Sequence, residues 1–141
     1  MICYLDTSAL VPLLVDEPTT GEARRLWHDS DRVASARIAV VETAAALAQA
    51  ARGGRLSQAQ HSEVRRAASY LFDRTDLVEI DAPLVHSAAR LAEQHALRGY
   101  DAVHLAAAMT MHDRHLVFVA GDQALLRAAR SAGLATAALE N

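Results

Sequence analysis

Four apolar or aromatic residues, Ile2-Cys3-Tyr4-Leu5, run from the second position without a polar break, and a carboxylate, Asp6, follows at once. A short run with no polar face predicts a strand buried on both sides, as in the middle of a parallel sheet. That prediction constrains the rest, because parallel strands need long crossovers, usually helical, between them. The chain supplies both parts. Val33-Ala34-Ser35, Leu77-Val78-Glu79-Ile80 and His115-Leu116-Val117-Phe118-Val119 read as further strands, and Leu134-Ala135-Thr136-Ala137 as a last, edge strand.

Helical patterns fill the intervals. Ser8 to Val15 reads as a short helix disturbed by Pro12, and Thr19 as the cap of the next helix. Ile38 to Ala51 is rich in Ala and Leu and is broken at Gly53-Gly54. Ser57-Gln58-Ala59-Gln60 is a capping box, whose Ser and Gln satisfy orphan amides reciprocally, and it opens a helix to about Phe72. Asp81 caps a helix with Pro83 in its first turn, where a missing N–H costs nothing. Asp101 to Met111 is apolar nearly all round, so it should be buried, and Asp122 opens a helix to about Ser131. Alternating strands and helices predict an α/β fold: a central parallel sheet of four or five strands with helices on both faces. The two helices either side of Gly53-Gly54 read as a helical hairpin arm. No repeat or linker divides residues 1–141, which read as a single domain.

Composition narrows the chemistry. The chain has 14 Arg and no Lys, which excludes Walker-type nucleotide loops, Schiff-base chemistry and lysine-dependent phospho-aspartyl systems. The net charge of −3 gives no global basic field to attract nucleic acid, although an acidic cluster neutralised by metal would mask one. With one cysteine, Cys3, there is no disulfide framework, and no basic leader precedes an apolar stretch. A cytoplasmic protein is expected.

Four carboxylates map to one place. In a right-handed βαβ unit a helix N-terminus lies at the edge of the sheet where the strands end. Asp6 ends the first strand, Asp122 opens the helix after the fourth, Asp101 opens the helix before it, and Glu42 lies in the second turn of the helix after the second. Taken singly, Asp122 and Asp6 are explained as helix caps and Asp101 as a favourable charge at a helix start. Glu42 is harder to explain, since it sits between Val40-Val41 and Thr43-Ala44-Ala45-Ala46 on a helix too apolar for a solvated face. A buried Glu needs a partner: an arginine, a shared proton or a metal. Hard divalent ions with oxygen ligands, Mg²⁺ or Mn²⁺, suit a set of four carboxylates.

The chain resembles PIN-domain ribonucleases, and within them the VapC-type toxins of type II toxin–antitoxin pairs. The resemblance spans nearly the whole length. It rests on Tyr4-Leu5-Asp6-Thr7-Ser8-Ala9-Leu10, on Glu42 in its apolar helix, on Tyr100-Asp101-Ala102-Val103-His104-Leu105-Ala106-Ala107-Ala108, and on Phe118-Val119-Ala120-Gly121-Asp122-Gln123-Ala124-Leu125-Leu126. It implies a PIN-like α/β/α sandwich and a Mg²⁺- or Mn²⁺-dependent endoribonuclease that cleaves phosphodiesters with an activated water. Asp6, Glu42, Asp101 and Asp122 would be its catalytic and metal-binding set. It also implies a small cognate antitoxin and a homodimer. One departure is Ala120, where the family often has Thr or Ser; Thr7 and Ser8 offer a hydroxyl from the end of the first strand instead. Arg98 and Arg127 lie near the expected site and are candidates for holding RNA. His104 is three residues after Asp101 and reads as a core residue or one that orients a carboxylate. The alternatives are a catalytically silent PIN-like domain that binds RNA or protein, a phosphate-accepting α/β domain built on Asp6, and a DNA nuclease.

Overall fold

The structure is a computed structural model that describes residues 1–140. Five parallel strands form one sheet in the order β3-β2-β1-β4-β5: β1 (Ile2–Leu5), β2 (Arg32–Ala36), β3 (Asp76–Val78), β4 (Leu116–Ala120) and β5 (Ala135–Ala138). The predicted α/β sheet is therefore present at its upper strand count. β1 is central and wholly buried. Its side chains alternate between the two faces with the period of two that a strand imposes. Ile2 and Tyr4 enter one core with Leu116, Phe118 and Ala120 of β4, while Cys3 and Leu5 enter the other with Val33 and Val119.

Helices cover both faces. The Ile2/Tyr4 side packs against α5 (Ala82–His95), α6 (Gly99–Thr110) and α7 (Gln123–Ser131). The Cys3/Leu5 side packs against α1 (Thr7–Leu10), a 3-10 turn over Val11–Leu13, α2 (Thr20–Asp29), and residues Ala39 of α3 (Ile38–Arg52) and Leu71 of α4 (Gln58–Asp73). As its composition predicts, α6 is almost entirely buried, from Asp101 through Ala108 with only Val103 less covered. Among the described residues no helix is long and apolar enough to cross a membrane.

Several local signals are realised as written. Ser57 and Gln60 form the capping box, Asp81 accepts from the Leu84 amide, and Asp122 accepts from the Leu125 amide at 2.9 Å. Thr19 occupies its cap position but makes no side-chain bond; its neighbour Thr20 instead takes the Glu17 amide at 2.9 Å and donates to the Pro12 carbonyl. β3 ends at Val78 rather than Ile80, two residues early, because it pairs only with β2 at the rim of the sheet.

The α3–α4 hairpin is the crossover between β2 and β3. Its base is anchored by Leu71 and Phe72, and its tip at Arg52, Gly53, Gly54 and Arg55 stands exposed, with Gly54 at φ +80° where a side chain would strain. The strand order decides where a ligand sits. β2 and β3 lie to one side of β1, and β4 and β5 to the other, so connections diverge between β1 and β4. The carboxyl ends of strands at such a switch point form a natural crevice.

Candidate active site

Asp6 sits at that switch point. Its amide donates to the Val119 carbonyl of β4 at 3.2 Å, which continues the sheet by one residue. Its side chain then caps α1, with Oδ1 accepting from the Ala9 amide at 3.3 Å and from the Ser8 hydroxyl at 2.6 Å. Ser8 Oγ in turn accepts from the Gly121 amide at 3.1 Å, which ties the end of β1 to the loop that carries Asp122. Ala120, at the end of β4, is fully buried.

Asp6 is only 5% exposed. Burial pushes its carboxyl up to about 6, with Asp101 nearby adding to the rise and the Ser8 hydroxyl, His104 and the Ala9 amide opposing it. A buried acid with two neutral donors and no cation of its own is costly to ionise.

Asp101, in the first turn of α6, is also buried and receives Arg98 Nε at 2.9 Å. The same guanidinium places Nη2 3.6 Å from Asp122 Oδ2 and lies over the Tyr100 ring at 5.1 Å. Arg98, expected as an RNA contact, therefore joins two of the site carboxylates, while its side chain stays well exposed to solvent. Arg127 is exposed on α7.

Glu42 reaches the site from α3. It is less buried than its apolar neighbours predict: α3 is apolar but half exposed, with Val41 at 63%, and the Glu42 side chain is itself partly open. What holds it is nevertheless specific. Glu42 Oε1 accepts from the Thr7 hydroxyl at 2.9 Å and lies 2.7 Å from His104 Nε2. His104 is buried on α6, and its other ring nitrogen, Nδ1, is 2.8 Å from the Tyr4 hydroxyl.

All four carboxylates thus belong to one linked group: Asp6 through Ser8 to the Asp122 loop, Asp101 through Arg98 to Asp122, and Glu42 to Thr7, the residue that follows Asp6. They meet through these intermediaries rather than as a packed knot; among the described residues no three His, Cys, Asp or Glu side chains form a closed ligand cluster. Nothing in the sequence marked Tyr4 as a polar partner; His104, read there as a core residue or one that orients a carboxylate, is buried and lies against Glu42, 62 positions away. Only the sheet face on which Tyr4 lies could have indicated its partner.

The sequence profile of the PIN domain matches residues 3–131. The chain belongs to the PIN-domain family. Among curated relatives of this PIN domain, Ribonuclease VapC45 of Mycobacterium tuberculosis is 39% identical over 132 residues, 94% of this chain and 92% of the relative. Two solved structures share the fold. Mycobacterium tuberculosis VapC20, described as a sarcin-ricin loop cleaving toxin, superposes with a TM-score of 0.68 at 20% identity, over 94% of this chain and 95% of that one. A toxin–antitoxin complex from Klebsiella pneumoniae superposes with a TM-score of 0.60 at 19% identity, over 85% and 86%. The VapC resemblance read from the motifs and the α/β/α sandwich expected of a PIN domain are both borne out.

Proposed function

We propose that this PIN domain is a Mg²⁺- or Mn²⁺-dependent endoribonuclease and the toxin of a toxin–antitoxin pair. The observation that carries the reading is the linked group of Asp6, Asp101, Asp122 and Glu42 at the β1/β4 switch point, in a chain 39% identical to a protein named as a ribonuclease. By its chemistry, though without a closed ligand cluster among the described residues, the donor set suits a hard divalent ion. It offers carboxylate and hydroxyl oxygens, and its most buried member, Asp6, lacks a cation to favour its charged form.

Asp6 and Asp101 are the residues that would hold the ion, with Asp122 and Glu42 as further ligands or holders of its waters. Such an ion, when bound, acidifies and orients water and offsets charge on phosphoryl oxygens. The chain's own residues do the rest. Ser8 and the Ala9 amide fix the Asp6 carboxylate, and Thr7 and His104 fix that of Glu42. Glu42 stands ready to take a proton from the attacking water. Arg98, exposed beside Asp101 and Asp122, is the positive group placed to meet an incoming RNA backbone, with Arg127, exposed on α7, as a second candidate. Water as nucleophile leaves a 5′-phosphate and a 3′-hydroxyl.

The purified protein is expected to cut RNA only with Mg²⁺ or Mn²⁺ present. End-labelling should find 5′-phosphates, and EDTA should stop the reaction reversibly. Cleavage indifferent to EDTA, or cyclic phosphate ends, would overturn the reading. A binding module that never cuts predicts RNA retention with no products in the same assay.

Arg98 supplies a second test. Without its guanidinium, Asp101 and Asp122 lose their neutralising partner, so a metal ion should matter more to the fold. Mg²⁺ is expected to raise the melting temperature of Arg98→Ala by more than that of the wild type, read by scanning fluorimetry against an EDTA control. Equal rises would remove Arg98 from the carboxylate group.

The toxin reading brings a small antitoxin as partner, in keeping with the toxin–antitoxin complex that shares this fold. It also brings a homodimer and a cytoplasmic location. Val40, Val41 and Tyr70 are exposed apolar side chains that a protein partner would cover.

A further inference from the structure

Glu42 differs from the other site carboxylates in how it is held. Asp6 is fixed by its own loop and Asp101 by a residue three positions away. Glu42 is fixed from across the fold, by a buried chain that runs from β1 through α6 to α3. Tyr4 is fully buried, stacked on Phe118 with ring centroids 5.3 Å apart, and meets the edge of the His104 ring at 74°. Its hydroxyl lies 2.8 Å from Nδ1, and Nε2 lies 2.7 Å from Glu42 Oε1. Polar groups in a core are kept when they satisfy one another, and here each has found its partner.

Resting on the nuclease reading, we infer that His104 is a positioning residue: it donates from Nε2 to Glu42 Oε1, is locked in that orientation by the Tyr4 hydroxyl on Nδ1, and thereby fixes which Glu42 oxygen is offered to the reaction. A carboxylate only accepts, so the shared proton belongs to Nε2. In the neutral ring the other nitrogen is then the acceptor for the phenol, whose proton burial holds in place. Thr7 gives a second hydrogen bond to the same Oε1. Oε1 is thus saturated by two donors, and Oε2 keeps no partner among the described residues. Oε2 is the oxygen that would receive a proton or face a cation's water. The arrangement resembles the supporting partners that hold ligands at metal centres, whose loss typically costs about ten- to a hundredfold in affinity or activity.

The geometry provides its own control. In a Gln side chain the amide nitrogen falls near the position of Nε2, whereas in Asn it falls near Nδ1. His104→Gln should therefore keep the bond to Glu42, and His104→Asn should keep only the one to Tyr4. On RNA with saturating Mg²⁺, His104→Asn is expected to lose about ten- to a hundredfold in kcat with KM little changed. His104→Gln should recover most of that loss. If the role were packing alone, Asn and Gln would fall together and in step with their melting temperatures, which would overturn the inference.

A second measurement needs neither metal nor turnover. In the metal-free protein, 15N-resolved imidazole spectra should place the His104 proton on Nε2, and Glu42→Gln should shift that signal. A proton on Nδ1, or a ring indifferent to Glu42, would also overturn the inference. Should the wild-type protein fail to cut RNA, the nuclease reading falls, and the spectra still decide whether His104 holds Glu42.

Discussion

Asp101→Asn is expected to reduce RNA cleavage by roughly a thousandfold or more, the scale seen when one preorganised charge-stabilising group is lost from an active site. The fold should survive. Asn keeps an oxygen that can accept the Arg98 Nε–H bond now made at 2.9 Å, and it keeps the volume of a side chain packed at the start of α6. Only the charge goes, and with it the ligand that the proposed reading gives to a divalent ion beside Asp6. Product formation on RNA should fall to background while the circular dichroism spectrum and melting temperature stay near those of the wild type. Full activity of this variant in Mg²⁺ would remove Asp101 from the chemistry and leave the proposed site without its central member.

Asp6→Asn should divide function from stability. Burial raises the Asp6 carboxyl to about 6, above the value near 4 that it has in an unfolded chain. A group whose pKa rises on folding contributes its stability below its unfolded value and loses it as the pH climbs through its folded value. In chelator-treated protein, the wild type should therefore be less stable at pH 8 than at pH 4 by about 2 to 3 kcal/mol on account of this one residue. Asn removes the ionisation and can still accept from Ser8 and Ala9. The metal-free variant should accordingly exceed the wild type by a similar amount at pH 8 and match it near pH 4, while cleaving no RNA. Urea unfolding of both proteins at the two pH values measures this directly. Parallel pH profiles would mean that Asp6 is solvated or neutralised in some other way. A protein that tolerates such a buried charge keeps a strained site for what the site does, and metal binding should relieve the strain.

The sheet, most of the helix caps and the family were legible in the residues alone. Ile2–Leu5 could only be a central strand, since no polar side chain was available for a wet face, and β1 proved buried throughout. The capping box at Ser57 and the acidic caps at Asp81 and Asp122 were legible because they are local, each closed within three residues. The four carboxylates were legible too, because helix N-termini and strand C-termini fall at the same edge of a parallel sheet.

What surrounds them emerged only in the folded chain. Glu42 was singled out as buried in an apolar helix, yet α3 leaves Val41 and its neighbours in solvent, and what fixes Glu42 is Thr7 and His104. Arg98 was singled out only as a cation near the site that could hold RNA, and the fold shows that it also bridges Asp101 and Asp122. Tyr4 looked like another apolar strand residue until the pleat placed it against α6, a hundred positions away. The difference is one of range. Periodicity and capping are written in neighbours along the chain, whereas these bonds form between side chains that meet only after the sheet has twisted and the helices have docked. No spacing in the sequence encodes which of several buried polar groups will be paired.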